Sequence, residues 1–312
     1  GGRVVSAQTG AAANAAIRVR AWRRDSGAAG MILRRVAAFA TACTQSAPGA
    51  MLRRGCGMEL GLTRADVLAK GRYRARLAEG TADIEQAQAL RHRSFLLLRG
   101  IAAGEGRDTD AFDARCQHVL IEETASGTLV GCYRLLHLPK AARIGESYSA
   151  QFYDLGALAA YPGAVLELGR FCLHPDWHDP DILRLAWGAM TRLVDAGGVR
   201  LLIGCSSFAG CDGAVHADAL ALLCGHLAPP EWAPRRRAAH IYDFGAADVP
   251  GHDAQRGLQA MPSLLRTYLG MGGWVSDHAV IDAALDTLHV FTAVEIDRIP
   301  PARARLLRLI AE

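Results

Sequence analysis

The run Val165-Leu-Glu-Leu-Gly-Arg-Phe-Cys-Leu173 is the segment around which we expect the rest of this chain to fold. It is apolar at most positions, and Pro162 and Pro175 lie just outside it. A short apolar run between two prolines is typical of an interior strand that is buried on both faces of its sheet. We therefore predict a central strand here, with the other elements arranged on either side of it.

Two charged residues, Glu167 and Arg170, interrupt this apolar run. A buried strand that carries charges must either pair them or direct them into a cavity where they take part in chemistry. Positions three apart on a regular strand face opposite sides, but a bulge at Gly169 would turn both side chains toward one site. Two interpretations follow: a structural ion pair between Glu167 and Arg170, or an active site built around them.

The composition is that of a globular protein with a sizeable core. The chain has 312 residues, of which 51% are hydrophobic. Its 8 cysteines form no C-x-x-C motif, which argues against a zinc ribbon or a disulfide scaffold and fits a reducing cytosol. No uninterrupted apolar run reaches the length of about 18 residues that a membrane-spanning helix needs.

The basic charge of the chain is confined to its first residues. The formal net charge is +4, but residues 1–57 contain nine arginines and one acid, Asp25. Residues 58–312 therefore hold 26 basic and 30 acidic residues, a net charge of −4. We accordingly predict no nucleic-acid partner.

Residues 1–57 are rich in Ala, Gly and Arg and show little periodicity. Three interpretations compete: a start site assigned too early, with Met58 opening the true protein; a disordered arm; or, from Met31 onward, an organelle transit peptide. We favour the first. We assign no function to this segment and expect the folded domain to occupy residues 58–312.

Hydrophobic periodicity predicts strands and helices that alternate along the rest of the chain. Predicted strands cover residues 73–77, 116–122, 129–137, 165–173, 199–206, 275–281 and 288–296. Predicted helices cover residues 82–95, 182–196, 216–227, 262–269 and 300–309. Loops are expected at 100–113 and 229–262, and a loop or helical excursion at 139–163. The pattern predicts one α+β domain, an α/β sandwich with a mixed central sheet flanked by helices.

Charged residues recur at four places in this pattern. They are Arg91-x-x-x-Phe95, Asp110-x-x-Asp113, Gly131-x-x-Arg134 and Glu167-x-x-Arg170-Phe171. This series resembles the acyl-homoserine-lactone synthases, a branch of the GCN5-related N-acyltransferase (GNAT) fold. The wider sequence is more similar to a sister family, the ornithine N-acyltransferases that begin ornithine-lipid synthesis and are often called hemolysin-like.

Six motifs carry this resemblance, which covers about residues 68–305. They are Phe112–His118, Gly131–Leu136, Glu167–Pro175, Gly204–Phe208, Leu227–Pro230 and Pro262–Leu269. Each motif is weak by itself, but the six occur in order. Two positions depart from the family pattern, since His278 stands where a small apolar residue or Pro is expected and Arg266 stands where Lys is common. Neither lies in the four charged motifs.

Acyl transfer from a thioester to an amine needs an uncharged amine, an acceptor for its proton and stabilisation of the oxyanion. We expect Glu167 to accept the proton, directly or through one water, with a pKa raised by burial; the alternative is that Glu167 binds the ammonium group. Arg134 and Arg170 are expected to hold a carboxylate or to orient Glu167, because a guanidinium group matches a carboxylate bidentately. These three are the predicted catalytic residues.

Asp110 and Asp113 have two interpretations. They receive the cationic side chain of an ornithine-like substrate, or they fix Arg91 in a salt-bridge network. The resemblance places them with Arg91, Phe95 and Phe171 in the predicted substrate-binding set.

The sequence also bears on the acyl donor. Enzymes of this fold that use coenzyme A usually carry a glycine-rich loop before the helix that follows the central strand, and its amides hold the pyrophosphate. Here Asp176-Trp-His-Asp-Pro-Asp-Ile-Leu183 offers acids instead, so we expect an acyl carrier protein as donor and no cofactor. Arg235, Arg236 and Arg237 are a candidate docking patch for that acidic carrier, although a solvated charge run is the simpler interpretation.

Two rival sites have simpler explanations. His174, Asp176, His178 and Asp179 have the residue types and spacing of metal ligands, but a loop of turn-forming and helix-capping residues is favoured, so no metal is predicted. Cys172 beside His174 could be a nucleophile, yet a free Cys in a strand is more often a core residue.

The resemblance implies an acyltransferase that moves a 3-hydroxy fatty acyl group from acyl carrier protein to the α-amine of ornithine, giving lyso-ornithine lipid. Such an enzyme would be cytoplasmic and would contact the inner face of a membrane without spanning it. The alternatives are an autoinducer synthase that consumes S-adenosylmethionine, an acyl-CoA-dependent N-acyltransferase for another amino acid, and a non-catalytic module that binds acyl chains or their carrier.

Overall fold

A computed structural model of the chain describes residues 67–244 and 253–312. The predictions for residues 1–57 and for a start at Met58 lie outside the described residues. The strands, in chain order, are β1 (Leu68–Lys70), β2 (Tyr73–Leu77), β3 (Gln117–Glu123), β4 (Leu129–Leu138), β5 (Tyr153–Asp154), β6 (Ala164–Leu173), β7 (Val199–Ala209), β8 (Arg235–Arg236), β9 (Ile241–Asp243), β10 (Trp274–Asp282) and β11 (Thr287–Glu295). A large sheet has the order β1-β2-β3-β4-β6-β7-β11-β10-β9, and β5 pairs with β8 in a separate ribbon.

The large sheet is mixed, as predicted. β6 and β7 run parallel, and the other neighbouring strands of this sheet are antiparallel. The central strand predicted at 165–173 is β6, between β4 and β7. A parallel pair needs a long crossover connection, and the helix predicted at 182–196 supplies it.

Helices lie on both faces of the sheet, most of them on the side of this crossover. In chain order they are α1 (Thr81–Arg91), α2 (Pro180–Ala196), α3 (Ala217–Leu223), α4 (Ala254–Ala260), α5 (Ser263–Gly270) and α6 (Pro301–Ala311). The crossover helix α2 begins after Asp179, whose side chain accepts a hydrogen bond from the backbone N–H of Asp181. Its apolar residues recur at helical spacing and are buried in one cluster with β2, β3, β4 and β6.

The opposite face of the sheet is covered by α1, whose Ala87 and Leu90 pack against Leu120 of β3 and Cys132 of β4, and by residues 139–163. This excursion consists of three 3-10 turns, Ala141–Glu146, Ser149–Gln151 and Gly156–Ala160, together with β5. Its apolar side chains form a second buried cluster with residues of β6, β7 and β11. The predicted sandwich is therefore confirmed, with most of the helices on one face and α1 together with the irregular excursion on the other.

Three predicted segments differ in detail. The helix predicted at 82–95 is α-helical up to Arg91 and continues as a wider π-helical turn, His92–Leu97. The helix predicted at 216–227 is α-helical over α3 and ends in a 3-10 turn. The loop predicted at 229–262 contains β8, β9 and α4. Apolar periodicity does not distinguish an α-helix from a tighter or wider turn at its end, and strands of two or three residues carry almost no periodic signal.

β6 and β7 separate halfway along their length. They pair from Ala164 opposite Val199 to Leu168 opposite Gly204, and beyond that point each continues without the other. The remainder of β6 pairs with β4, and the remainder of β7 pairs with β11. The sheet therefore has a gap at its centre.

The bulge predicted near Gly169 is present at the start of this gap. Cys132 of β4 lies opposite Cys172, whereas Arg134 lies opposite Gly169, so β6 has one residue more than β4 across this interval. The left-handed residue of the bulge is Arg170, with φ of 51°. The extra residue bends β6 away from β7.

Gly204, at the last β6–β7 pair, is expected to tolerate no side chain. A Cβ atom there would lie 2.6 Å from the carbonyl oxygen of Leu168. Since the clash is with backbone, Gly204→Ala should lower the free energy of unfolding by roughly 1–3 kcal/mol in urea denaturation. Gly225→Ala is the control, because a Cβ atom at Gly225 meets nothing within 4 Å. Equal stability of the two variants would contradict the prediction.

Candidate active site

A cavity of about 380 Å³ occupies the gap between β6 and β7 and is lined from both faces of the sheet. Its apolar lining comes from α2, α5, the outer part of β6 and the π-helical turn; it includes Phe95, Phe171, Leu173, Leu183, Leu264 and Leu265. Its polar lining includes Arg99, Arg134, Tyr148, Glu167, Arg170, Cys205, Ser207, Asp282, Thr287 and His289. The volume and the mixed lining are those of a site for a small or extended ligand with one apolar part.

Two arginines of the polar lining, Arg134 and Arg170, belong to a largely buried arginine–aspartate network. Its other members, Arg91, Asp108, Asp110 and Asp113, lie behind the lining. Arg134 donates to both oxygens of Asp110, at 2.6 and 2.7 Å, and to Oδ1 of Asp113 at 2.8 Å. Arg91 donates to both oxygens of Asp113, at 2.8 and 2.9 Å. These bidentate pairs are the strongest geometry available to a guanidinium group.

Asp108 joins the remaining arginines. Its Oδ2 lies 3.0 Å from Nε of Arg91 and 3.1 Å from Nε of Arg170. Arg170 also reaches Asp110 at 3.4 Å and the hydroxyl of Tyr148 at 3.4 Å. Asp108 is a member of the network that was not among the predicted site residues, although it lies in the same acidic loop as Asp110 and Asp113.

The network favours ionised aspartates. Burial opposes ionisation of Asp113, but hydrogen bonds and charge from Arg91, with further bonds from Gln88 and Arg134, hold the pKa of this carboxyl well below its usual range. The pKa of Asp110 is also lowered, because Arg134 and Arg170 outweigh its burial.

These contacts decide between the interpretations that the sequence left open for Glu167 with Arg170 and for Asp110 with Asp113. Arg170 pairs with the loop aspartates and not with Glu167, so the first of the two interpretations, a structural ion pair between Glu167 and Arg170, is wrong. Arg91, Asp110 and Asp113 stand behind the cavity wall in a salt-bridge network, whereas Phe95 and Phe171 line the cavity. The bulge explains why Arg170 does not pair with Glu167, because it turns the Arg170 side chain toward the loop at residues 108–110.

Glu167 lies at the inner end of the cavity and is 4% exposed. Its Oε1 accepts hydrogen bonds from the backbone N–H of Ser149 at 2.7 Å and from the Ser149 hydroxyl at 2.6 Å. Its Oε2 accepts from the backbone N–H of Tyr148 at 2.6 Å. Burial raises the pKa of Glu167, and these bonds to Ser149 and Tyr148 oppose the rise. Two carboxylate oxygens offer about four acceptor sites, so one remains for a ligand.

Residues of the two rival sites, the candidate metal ligands at 174–179 and the candidate nucleophile Cys172, have structural roles. Asp179 caps α2 and accepts a hydrogen bond from the hydroxyl of Tyr73 at 2.8 Å, and Asp176 pairs with Arg93 at 2.7 Å. Among the residues that the structure describes, no group of three or more potential ligands is arranged to hold a metal ion. Cys172 lies in a buried cluster with its Sγ 3.6 Å from that of Cys132.

The candidate docking patch lies on the ribbon of β5 and β8. Arg235, Arg236 and Arg237 are all exposed. Arg236 forms an ion pair with Asp243 of β9. A role in docking stays a prediction.

Sequence reasoning missed Asp282, Thr287 and His289, which lie at the far end of the cavity on β10 and β11. His289 is a buried titratable residue in a mostly apolar strand, and a charged residue in an apolar strand was also the signal that singled out Glu167. The neighbouring departure His278 is fully buried beside Asp277, its Nδ1 2.6 Å from that carboxylate, and does not line the cavity.

Comparison with known proteins agrees with this fold. The family described as acetyltransferase (GNAT) domain matches residues 90–188, which run from the end of α1 into α2. The chain is therefore an acyltransferase with the GNAT fold. An L-ornithine N(alpha)-acyltransferase of Rhodobacter capsulatus is 36% identical over 234 residues, which are 72% of this chain and 90% of that protein. A protein of the same name from Rhizobium meliloti is 32% identical, over 75% of this chain and 84% of that protein.

The chain belongs to the L-ornithine N(alpha)-acyltransferase family. Among solved structures, an N-acyl amino acid synthase from uncultured soil microbes matches with a TM-score of 0.37 and 10% identity, over 77% of this chain and 97% of that one. In the part of the chain that the structure describes, no helix is long and apolar enough to cross a membrane.

Removing one aspartate of the network should cost much more stability than removing an exposed partner. Arg91 is 1% exposed, so Asp113→Ala leaves a buried guanidinium group short of its main partner, and we expect a loss of about 3 kcal/mol in the free energy of unfolding. Asp195→Ala breaks the Arg308–Asp195 pair, whose side chains are 56% and 46% exposed, and should cost about 1 kcal/mol or less.

The stability that Asp113 contributes depends on pH, because the pKa of Asp113 is lowered in the folded protein. Its contribution is fully present above the pKa of an unfolded Asp, about 3.9, and is lost as pH falls through the lower folded value. Urea denaturation of wild type and Asp113→Ala at a series of acidic pH values measures both effects. Equal losses for the two aspartate variants at neutral pH would show that the network carries no special stability.

Proposed function

We propose that the chain transfers a 3-hydroxy fatty acyl group from acyl carrier protein to the α-amine of ornithine, giving lyso-ornithine lipid. The observation that carries this proposal is one cavity that combines an apolar lining, mostly from α2, α5 and β6, with an acid–base lining that includes Glu167. An acyl chain fits the first lining and an amino acid the second. The names of the relatives support ornithine as the acceptor.

Glu167 is proposed to take the proton of the attacking amine, directly or through one water. The nitrogen then forms a bond to the thioester carbonyl carbon, the C–S bond breaks, and the carrier leaves as its thiol with that proton. A carboxyl whose pKa is raised by burial is a better match for this proton than an exposed one. The bulge at Arg170 leaves backbone outside the β4–β6 ladder beside the cavity, which makes its amide a candidate donor to the oxyanion.

The N-terminus of α2 supports a carrier protein over coenzyme A as donor. Helix N-termini bind pyrophosphate through free N–H groups, but here the Asp179 carboxylate already accepts from the N–H of Asp181, and Asp181 adds a second acid to the first turn. Both acids would repel a pyrophosphate. Arg235 and Arg237 are exposed cations for contact with an acidic carrier.

We further propose that the enzyme works in the cytoplasm at the inner face of a membrane. Leu97, Leu98 and Ile101 are large apolar residues with exposures of 39%, 61% and 39%. They flank Arg99, which lines the cavity. Apolar side chains at this position would contact lipid where an acylated product leaves.

The donor and acceptor are tested with the full-length protein, ornithine and either a 3-hydroxyacyl carrier protein or the same acyl group on coenzyme A. We expect N-acyl-ornithine by mass spectrometry from the carrier thioester and much less from coenzyme A. Arg235→Glu with Arg237→Glu should raise KM for the carrier thioester, whereas the exposed control Arg305→Glu should not. Faster reaction with coenzyme A would overturn the choice of donor. Products with other amino acids and none with ornithine would overturn the acceptor.

The proton-acceptor role of Glu167 is tested through Ser149, whose hydroxyl stabilises the ionised form. Ser149→Ala removes this hydrogen bond, so the pKa of Glu167 should rise and the acidic limb of the kcat/KM profile should move to higher pH, by about one unit. Ser147→Ala is the control, because the Ser147 hydroxyl donates to the carbonyl of Ile144 and not to Glu167. An acidic limb that stays in place in Ser149→Ala would exclude Glu167 as the titrating base.

A further inference from the structure

One end of the cavity is lined by three side chains that have hydrogen-bond acceptors available for a ligand: Asp282, Thr287 and His289. Asp282 lies directly opposite Thr287 in the β10–β11 pair, and His289 is two residues further along β11. Side chains of opposed residues, and of residues two apart on a strand, share a face. All three residues line the cavity. They lie beyond Glu167, on the same face of the sheet.

The hydrogen bonds of Tyr153 indicate which nitrogen of His289 carries the proton. The Tyr153 hydroxyl donates its single hydrogen to the backbone carbonyl of His289 at 2.8 Å. Its oxygen, 3.2 Å from Nδ1 of His289, is then an acceptor, so Nδ1 bears the ring hydrogen. Nε2 is left with a bare lone pair. It is buried without a hydrogen-bond partner among the described residues, in a side chain that is 3% exposed.

His289 is therefore an acceptor and not a cation. Burial lowers its pKa to about 4, so the ring is neutral around pH 7. Thr287 adds a second acceptor, since its Oγ1 is buried with no partner in the described part of the chain and the residue is 4% exposed. Buried polar atoms without partners are rare and call for an explanation.

Asp282 supplies the charge at this end of the cavity. Its Oδ1 accepts from the backbone N–H groups of Ala284 and Leu285 at 3.0 and 3.2 Å, and no ion pair to it occurs within residues 67–244 and 253–312. Arg99, a cation of the cavity lining, donates to the carbonyls of Leu285 and Asp286. Each aspartate of the arginine–aspartate network is paired with at least one guanidinium group, whereas Asp282 has no ion pair among the described residues.

We propose that Asp282, Thr287 and His289 bind the side-chain ammonium group of the acceptor amino acid. An ammonium group has three N–H donors and no acceptor, which matches one carboxylate oxygen, one hydroxyl and one imidazole nitrogen. The assignment rests on the proposed function, because it concerns the side chain of an ornithine acceptor. It moves the binding of that cation from Asp110 and Asp113, where the sequence suggested it, to the other end of the cavity.

The spacing along β7 fits this arrangement. Ser207 of β7 lies opposite His289, and Gly204 lies opposite Leu168 where the gap begins. Three residues of strand span about 10 Å. An extended ornithine with hydrogen bonds at both ends covers a comparable distance, so its α-amine can lie near the gap while its side chain reaches the acceptor cluster.

The experiment compares ornithine with norvaline, which has the same carbon chain without the side-chain amine. The full-length protein is supplied with the 3-hydroxyacyl thioester on which the wild type is active, and kcat/KM is measured for both acceptors. Wild type should prefer ornithine. In Asp282→Asn, which keeps the shape and the Oδ1 turn, the ratio of ornithine to norvaline should fall roughly 10- to 100-fold, the worth of charge-assisted hydrogen bonds.

Two further variants sharpen the test. Thr287→Val keeps the side-chain shape and removes the hydroxyl, so the ratio should fall by a smaller factor of roughly 5 to 10. Glu79→Gln makes the same charge change as Asp282→Asn at an exposed position between β2 and α1, and its ratio should equal that of wild type.

Each outcome separates this inference from the proposed function. A wild type that acylates ornithine and norvaline equally well, or an Asp282→Asn variant that keeps the wild-type ratio, would overturn the inference and leave the acyltransfer to ornithine intact. No N-acyl-ornithine from the wild type with either thioester would overturn the proposed function, and this inference with it.

Discussion

The arginine–aspartate network is the interaction on which the site depends, because it supplies partners for three guanidinium groups beneath the cavity. A buried charge loses its hydration, so it persists where partners satisfy it. Here the partners come from residues 108–113, a segment without helix or strand, and their bonds fix that segment to α1, β4 and β6. Arg134 and Arg170 are thereby held in the cavity wall before any ligand enters, which reduces the ordering that binding requires.

The same network accounts for the gap in the sheet. A non-glycine residue in the left-handed region, such as Arg170 with φ of 51°, costs about 1–3 kcal/mol unless its surroundings hold it there. The side chain of Arg170 is held by Asp108, Asp110 and Tyr148. These bonds offset the strain of the bulge, the bulge bends β6 away from β7, and the cavity opens where the two strands part. Charge pairing, backbone strain and the shape of the site are thus linked at one residue.

Much of this arrangement could be predicted from the sequence because its signals are local. The apolar run of β6 and the helical spacing of α2 gave their positions within two residues, and Glu167 and Arg170 stood out as charges in a buried strand. Their partners could not be predicted in the same way. Glu167 is bound by backbone N–H groups of a 3-10 turn that has no motif, and Asp282 meets Thr287 through strand register, which is a tertiary property.

The acids of the site illustrate how surroundings divide one residue type among different tasks. Asp113 is paired with two arginines and has a lowered pKa, so it stays ionised and serves as a structural charge. Glu167 has N–H and hydroxyl donors but no ion pair among the described residues, and burial raises its pKa, which suits a group that gains and loses a proton. Asp282 has backbone donors on one oxygen and neutral acceptors beside it, which leaves its negative charge for a ligand. These carboxylates lie in the network, at the gap and at the end of β10. Their positions therefore determine the orientation in which an amino acid binds in the cavity. An amino acid with a cationic side chain satisfies Asp282 when its α-amine lies toward Glu167, and the reverse orientation would place the α-amine away from the proposed base.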